Sequence, residues 1–251
     1  MTDRHDDSPA IGIPPGRATW GASVVILAFL CLVLGQVVGT TMFDALGVDD
    51  DWGIVGASLG FFAVFGLVAA LLRRDGPPAA EALGLQATWS SGLRHAVLYF
   101  LPHLVIYFGA ALIAGFILAA LGAEEPRQAA LDHYLGSRSN LPLQAAILVV
   151  AVILAPIAEE LLFRGLFFGF LRKHCSFWRA AVLQGFLFGL LHVEGWSGLV
   201  FILPLGAMGV FLAWLRVRSG SIHAAMLVHS MHNALILVLA PMIREASKVG
   251  P

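Results

Sequence analysis

Seven stretches of this chain run for about the length of a bilayer crossing with few or no charged side chains, and no other feature restricts its fold as much. They lie near 20–45, 53–72, 95–121, 143–172, 177–193, 198–216 and 221–243. Hydrocarbon offers no water to unpaired backbone N–H and C=O groups, so apolar runs of this length must close their own hydrogen bonds as helices. Composition leads to the same conclusion. Of the 251 residues, 59% are hydrophobic and 12% are charged. A soluble domain carries about a quarter charged residues, so these proportions do not suit one aqueous core. The expected fold is an all-α, polytopic transmembrane helical bundle of about seven spans, and the expected location is an integral one in a bacterial-type plasma membrane.

The polar segments divide the chain further. A polar N-terminal segment, 1–19, mixes acids with Arg4, Arg17 and the Pro14–Pro15 pair. The apolar run after it is too long for a signal-peptide core, so it reads as a retained first span. N-terminal transmembrane helices occupy 20–121, interrupted by an acidic loop (Asp49, Asp50, Asp51) and a polar stretch from Arg73 to Arg94. A loop fills 122–142, a transmembrane core 143–243 and a polar tail 244–251. Tight connections are expected at His174–Ser176, Glu194–Ser197 and Arg218–Gly220. Lys and Arg favour the cytoplasmic side. A cytoplasmic N-terminus places Arg4, Arg17, Arg73, Arg74, Arg94, Arg172, Lys173, Arg179, Arg216 and Arg218 inside, and leaves Arg127, Arg138, Arg244 and Lys248 outside. There is no basic run to suit nucleic acid. Cys31 and Cys175 have no metal-ligand spacing, and no disulfide is expected between them.

Ionisable groups inside a span are costly, about 2.5–3.5 kcal/mol each on insertion scales, so each needs a reason to be there. The fourth span carries Glu159-Glu160-Leu161-Leu162-Phe163-Arg164. Glu160 and Arg164 are four apart and share a helical face, so they can pair. Glu159 points about 100° away and is the freer carboxylate. Two adjacent acids in different environments suit general-base chemistry. The fifth span ends in Phe188-Gly189-Leu190-Leu191-His192. Counted from a reversal near Cys175, Glu159 and His192 reach the same depth, about 25 Å from the turn. A carboxylate and an imidazole at one level can hold and activate a water for attack on a carbonyl. The seventh span carries His229-Ser230-Met231-His232-Asn233. His229 and Asn233 face one way, as donors to a developing oxyanion must.

Blander readings apply elsewhere. His95, His103, His223 and His232 read as hydrogen-bonded packing residues, and Glu194 as a surface carboxylate. Pro102 is expected to bend the third span. Gly165/Gly169 and Gly185/Gly189 have the spacing that lets membrane helices approach closely, and a turn near Cys175 would bring the two pairs to similar depth. Gly35/Gly39 and Gly56/Gly60 read simply as common span residues. Glu160–Arg164 taken alone fits a structural ion pair.

The order E-E-x-x-x-R, F-x-x-x-H, H-x-x-x-N on successive spans resembles the CPBP family, which contains the type II CAAX prenyl endopeptidases and the bacteriocin-processing and self-immunity membrane proteins. The resemblance covers about 140–240. Upstream of about 95 it extends only to general hydrophobicity, and the sequence ends soon after the seventh span where some members carry an eighth. The resemblance implies a helical membrane endopeptidase in which Glu159 acts on a water and His192 positions or activates it. It also implies that His229 and Asn233 stabilise the oxyanion, with Glu160, Arg164 and the motif residue Phe188 in support. The implied substrate is a peptide or protein segment at or in the bilayer. Glu159, His192 and His229 are also ordinary zinc-ligand types, but no H-E-x-x-H is present. The resemblance favours a glutamate mechanism with no metal or other cofactor. Two other classes fit the same residues: a non-enzymatic scaffold or immunity protein, and a proton-coupled transporter. The transporter reading lacks an inverted second half.

Overall fold

A computed structural model describes residues 18–123 and 129–248. Among the described residues, six helical stretches are long and apolar enough to cross a bilayer: Ala22–Ala45, Gly53–Asp75, Trp89–Leu121, Leu141–Leu171, Ser197–Ser219 and Ile222–Leu239. Their outward faces carry large apolar side chains such as Leu34, Leu98 and Phe116, while the buried residues include Glu160, Arg164, Gln184, His103, His229 and His232. Apolar groups outside and ionisable groups inside make a bundle solvated by lipid, and the chain is an integral membrane protein.

The first stretch is α1 (Ala22–Ala45). The second is divided at Ser58 into α2 (Gly53–Ala57) and α3 (Leu59–Asp75). α4 (Pro77–Leu83) is short, and α5 (Trp89–Leu121) runs on through Pro102. α6 (Ala129–Gly136) is again short. The fourth stretch comprises α7 (Leu141–Val149), a π-helical segment Val150–Leu154, α8 (Ala155–Glu160), a second π segment Leu161–Phe167, and α9 (Phe168–Leu171). Then come α10 (Phe177–Leu190), a 3₁₀ turn Ser197–Phe201, α11 (Ile202–Ser219) and α12 (Ile222–Lys248).

Several sequence expectations need correction. The expected fifth span is α10, with 14 residues. At 1.5 Å per residue it reaches about 21 Å, well short of a hydrocarbon core of about 30 Å. The polar stretch Arg73–Arg94 is not a plain loop. Gly76 takes φ +58, a conformation open to glycine, and stops α3. Pro77 then opens α4 at a position where its missing N–H costs nothing. α5 begins at Trp89, capped by the Thr88 hydroxyl accepting from the Ser91 N–H. Within the expected loop 122–142 lies α6. The calls on the N-terminal segment up to Arg17 and on Arg127 lie outside the described residues, as do the side chains of Asp50, Arg138, Arg244 and Lys248.

Glycine packing also differs from the expectation. A Cβ on Gly185 would stand 2.7 Å from the Gly206 carbonyl oxygen, and one on Gly189 would stand 2.9 Å from Ile202 Cα. That pair therefore seats α10 directly on α11, where Gln184 Nε2 also donates to the Gly209 carbonyl at 2.7 Å. Gly165 instead lies under Leu83, and Gly169 lies under Trp20. Gly35 and Gly39 meet Gly60 of α3 and Gly56 of α2 backbone to backbone, so these glycines do form a close contact of α1 with the second stretch.

Candidate active site

The site is assembled from α8, the end of α10 and the middle of α12. Glu160 and Arg164 are wholly buried, with Arg164 Nη1 donating to Glu160 Oε1 at 2.7 Å. The same oxygen receives His229 Nδ1 at 2.9 Å. A carboxylate accepts only, so His229 carries a proton on Nδ1 and turns Nε2 away from Glu160. Glu159 lies on the neighbouring face of α8. Its Oε2 stands 3.8 Å from His229 Nε2 and 4.0 Å from His192 Nε2. Both separations exceed hydrogen-bond length, and they are of the size that one bridging water spans.

His192 reaches this point because α10 is short. It sits just past the helix end, with 37% of its side chain exposed, against 14% for Glu159 and 4% for His229. Its Nδ1 donates to the Phe188 carbonyl at 2.7 Å, which leaves the Nε2 lone pair facing Glu159 in the neutral ring. Phe188 is 1% exposed and joins the parts. Arg164 Cζ lies 4.5 Å over its ring centroid, and the rings of His192, Phe163 and His229 lie 4.7, 5.1 and 5.8 Å from it. The aromatic face gives the guanidinium a second favourable surface inside an apolar bundle.

The two π segments flank α8. Widening a turn to i→i+5 disturbs the regular ladder and leaves carbonyls to be met from elsewhere. Asn233 Nδ2 donates to the Ala151 carbonyl in the first segment at 2.8 Å. Trp20 Nε1 donates to the Leu166 carbonyl in the second, also at 2.8 Å. Asn233 therefore spends one of its two amide hydrogens on the backbone, which differs from an amide turned wholly into the site. Lys173 Nζ, just past α9, holds the carbonyls of Ala18 and Trp20, which fixes the chain ahead of α1 against the end of the fourth stretch.

Of the side chains singled out in the sequence, the structure gathers Glu159, Glu160, Arg164, Phe188, His192 and His229 into one cluster, with Asn233 at its edge. His95 bonds its own helix at the Ser91 carbonyl, and His223 stacks on Trp89 with ring centroids 4.1 Å apart. His103 and His232, read from sequence as hydrogen-bonded packing residues, are 0% and 3% exposed and bond each other, a pairing the sequence reading did not foresee. A signal was present in the sequence, since His232 adjoins Asn233 and lies one helical turn from His229. Among the described residues, no three or more His, Cys, Asp or Glu side chains are arranged to hold a metal ion.

Comparison with known proteins finds likenesses that include this cluster. Residues 141–235 match the model of the type II CAAX prenyl endopeptidase Rce1-like family. The chain is 26% identical over 212 residues to the "Putative membrane peptidase YdiL" of Bacillus subtilis (strain 168), across 82% of this chain and 76% of that protein. No solved structure matches it. All the clustered side chains fall within the matched segment, in the order of the three motifs, so the likeness to that family covers the whole cluster.

Proposed function

We propose that this membrane protease hydrolyses a peptide bond of a membrane-associated protein or peptide through a water activated by Glu159. The observation that carries the reading is the convergence of two imidazole Nε2 atoms on one carboxylate oxygen, Glu159 Oε2, at 3.8 and 4.0 Å. Glu159 takes a proton from the water, and the oxygen attacks the scissile carbonyl. His192, through the Nε2 lone pair, orients the same water. The carbonyl oxygen gains negative charge and meets Nε2–H of His229 and the second amide hydrogen of Asn233. The donor role of His229 requires the doubly protonated ring, and Glu160 faces its other nitrogen at 2.9 Å. When the tetrahedral species collapses, Glu159 returns its proton to the departing amine. Water and peptide bond are consumed, and a carboxyl and an amine are formed.

Glu160 and Arg164 hold His229 and Phe188 in place without meeting the substrate. The proposal uses no metal. Zinc on Glu159, His192 and His229 is the competing chemistry, and it predicts loss of activity on chelation. The scaffold and transporter readings both predict no cleavage. Peptide termini in membranes of cells expressing wild type and Glu159→Gln, compared by mass spectrometry with and without a chelator, separate these outcomes. Termini that depend on Glu159 and persist in chelator support the proposal. Equal termini in both proteins, or their loss in chelator, contradict it.

A further inference from the structure

One buried polar pair serves neither glutamate nor a helix end. His103 of α5 and His232 of α12 face each other with Nε2 and Nδ1 3.1 Å apart. Tyr107 lies 4.2 Å from the His232 ring centroid and Phe211 lies 5.4 Å from that of His103, so the surroundings are aromatic. Nδ1 of His103 is buried and has no hydrogen-bond partner. Burying an unmet lone pair costs less than burying an unmet N–H, as the commoner under-satisfied carbonyls of proteins indicate. The network therefore assigns the His103 proton to Nε2, which donates to Nδ1 of His232.

The pair matters because of its place around α12. Viewed down the helix, Asn233 lies about 40° to one side of His229 and His232 about 60° to the other. Asn233 and His229 bond to the fourth stretch, at Ala151 and Glu160. His232 bonds in another direction, to α5. α12 is thus held on both sides of the imidazole that faces Glu159. Side chains reach about 5–6 Å from a helix axis, so each 10° of rotation moves a ring by roughly 1 Å. A displacement of about 1 Å from a change remote from the reacting atoms can cost 10²-fold in rate.

We propose that His103 and His232 are a positioning pair: their hydrogen bond sets the rotation of α12 and seats His229 Nε2 opposite Glu159. The proposal rests on the hydrolytic reading above. The test uses the full chain in lipid nanodiscs, with His103→Phe, which keeps a planar aromatic ring and loses the donor, and His103→Gln, whose amide can still donate to His232. Two readouts are taken: peptide hydrolysis per folded protein, and the ¹⁵N spectrum of labelled histidines. The Phe variant should lose about ten- to hundred-fold in kcat with KM changed by less than about two-fold, and the Gln variant should recover most of it. The His229 resonances should move in the Phe variant and return in the Gln variant. Unchanged kcat in the Phe variant, or equal losses in both variants that follow their melting temperatures, would overturn the proposal. A wild type that hydrolyses no peptide contradicts the hydrolytic reading instead. The pair is then decided by the His229 resonances alone, and a His229 signal indifferent to both variants overturns it.

Discussion

Glu159 and Glu160 are neighbours with opposite surroundings, and that difference defines the site. Glu160 is fully buried and bonded to Arg164 and His229, which both lie against the Phe188 ring. Glu159 keeps a partly exposed carboxylate between two imidazole nitrogens. Glu159→Gln retains shape and removes basicity, so hydrolysis should fall by about 10²–10⁴-fold with the melting temperature nearly unchanged. Glu160→Gln should act chiefly on stability. Removing one partner of a buried ion pair typically costs about 3–5 kcal/mol, because the other charge is left uncompensated. Denaturant unfolding in detergent checks this, and a loss below about 1 kcal/mol would show that Arg164 is held mainly by the Phe188 ring. The i,i+4 spacing of Glu160 and Arg164 can be read from sequence because it depends only on helix geometry. That Asn233 would serve the Ala151 carbonyl cannot, since the demand comes from a π segment that no residue pattern announces.

At the scale of elements, the short α10 is the feature with most consequence. It ends at Leu190 and leaves His192 on the following turn, more exposed than the rest of the cluster. Continuous apolar character from 177 to 193 hid this, because hydropathy records solvation and not where hydrogen bonding stops. α10 holds its place through backbone contact with α11 at Gly185 and Gly189. Gly185→Val must push Gly206 and Val210 away, a cost of about 1–3 kcal/mol or more, and should displace His192. The expected result is a lower melting temperature together with a rate loss larger than that of a surface change of equal destabilisation, such as Val182→Ala on the exposed side of α10. Equal losses would show that α10 does not set the position of His192. The glycine contact of α1 with the second stretch was missed for a related reason. A small-residue spacing is common in spans, and only a facing partner at the same depth makes it a contact.

For the whole molecule, the class of fold could be read from apolar run length alone, and the site from three motifs on three runs. Their convergence within 4.0 Å at one carboxylate oxygen is a tertiary fact. The positive-inside bias predicts that the turn at Ser176 faces the cytoplasm and Ser139 the opposite side. In a chain with Cys31 and Cys175 replaced, Ser176→Cys should react with an impermeant thiol reagent only in inside-out vesicles, and Ser139→Cys only in right-side-out ones. The reverse pattern would invert the assigned orientation. The most direct test of the central claim is hydrolysis of a peptide pool in H₂¹⁸O by the purified protein in lipid vesicles, wild type against Glu159→Gln, with chelator present. One ¹⁸O atom in each new C-terminus made by the wild type, and none made by the variant, is the predicted result. Cleavage that persists in Glu159→Gln, or that the chelator abolishes in the wild type, would contradict a water activated by Glu159 without metal.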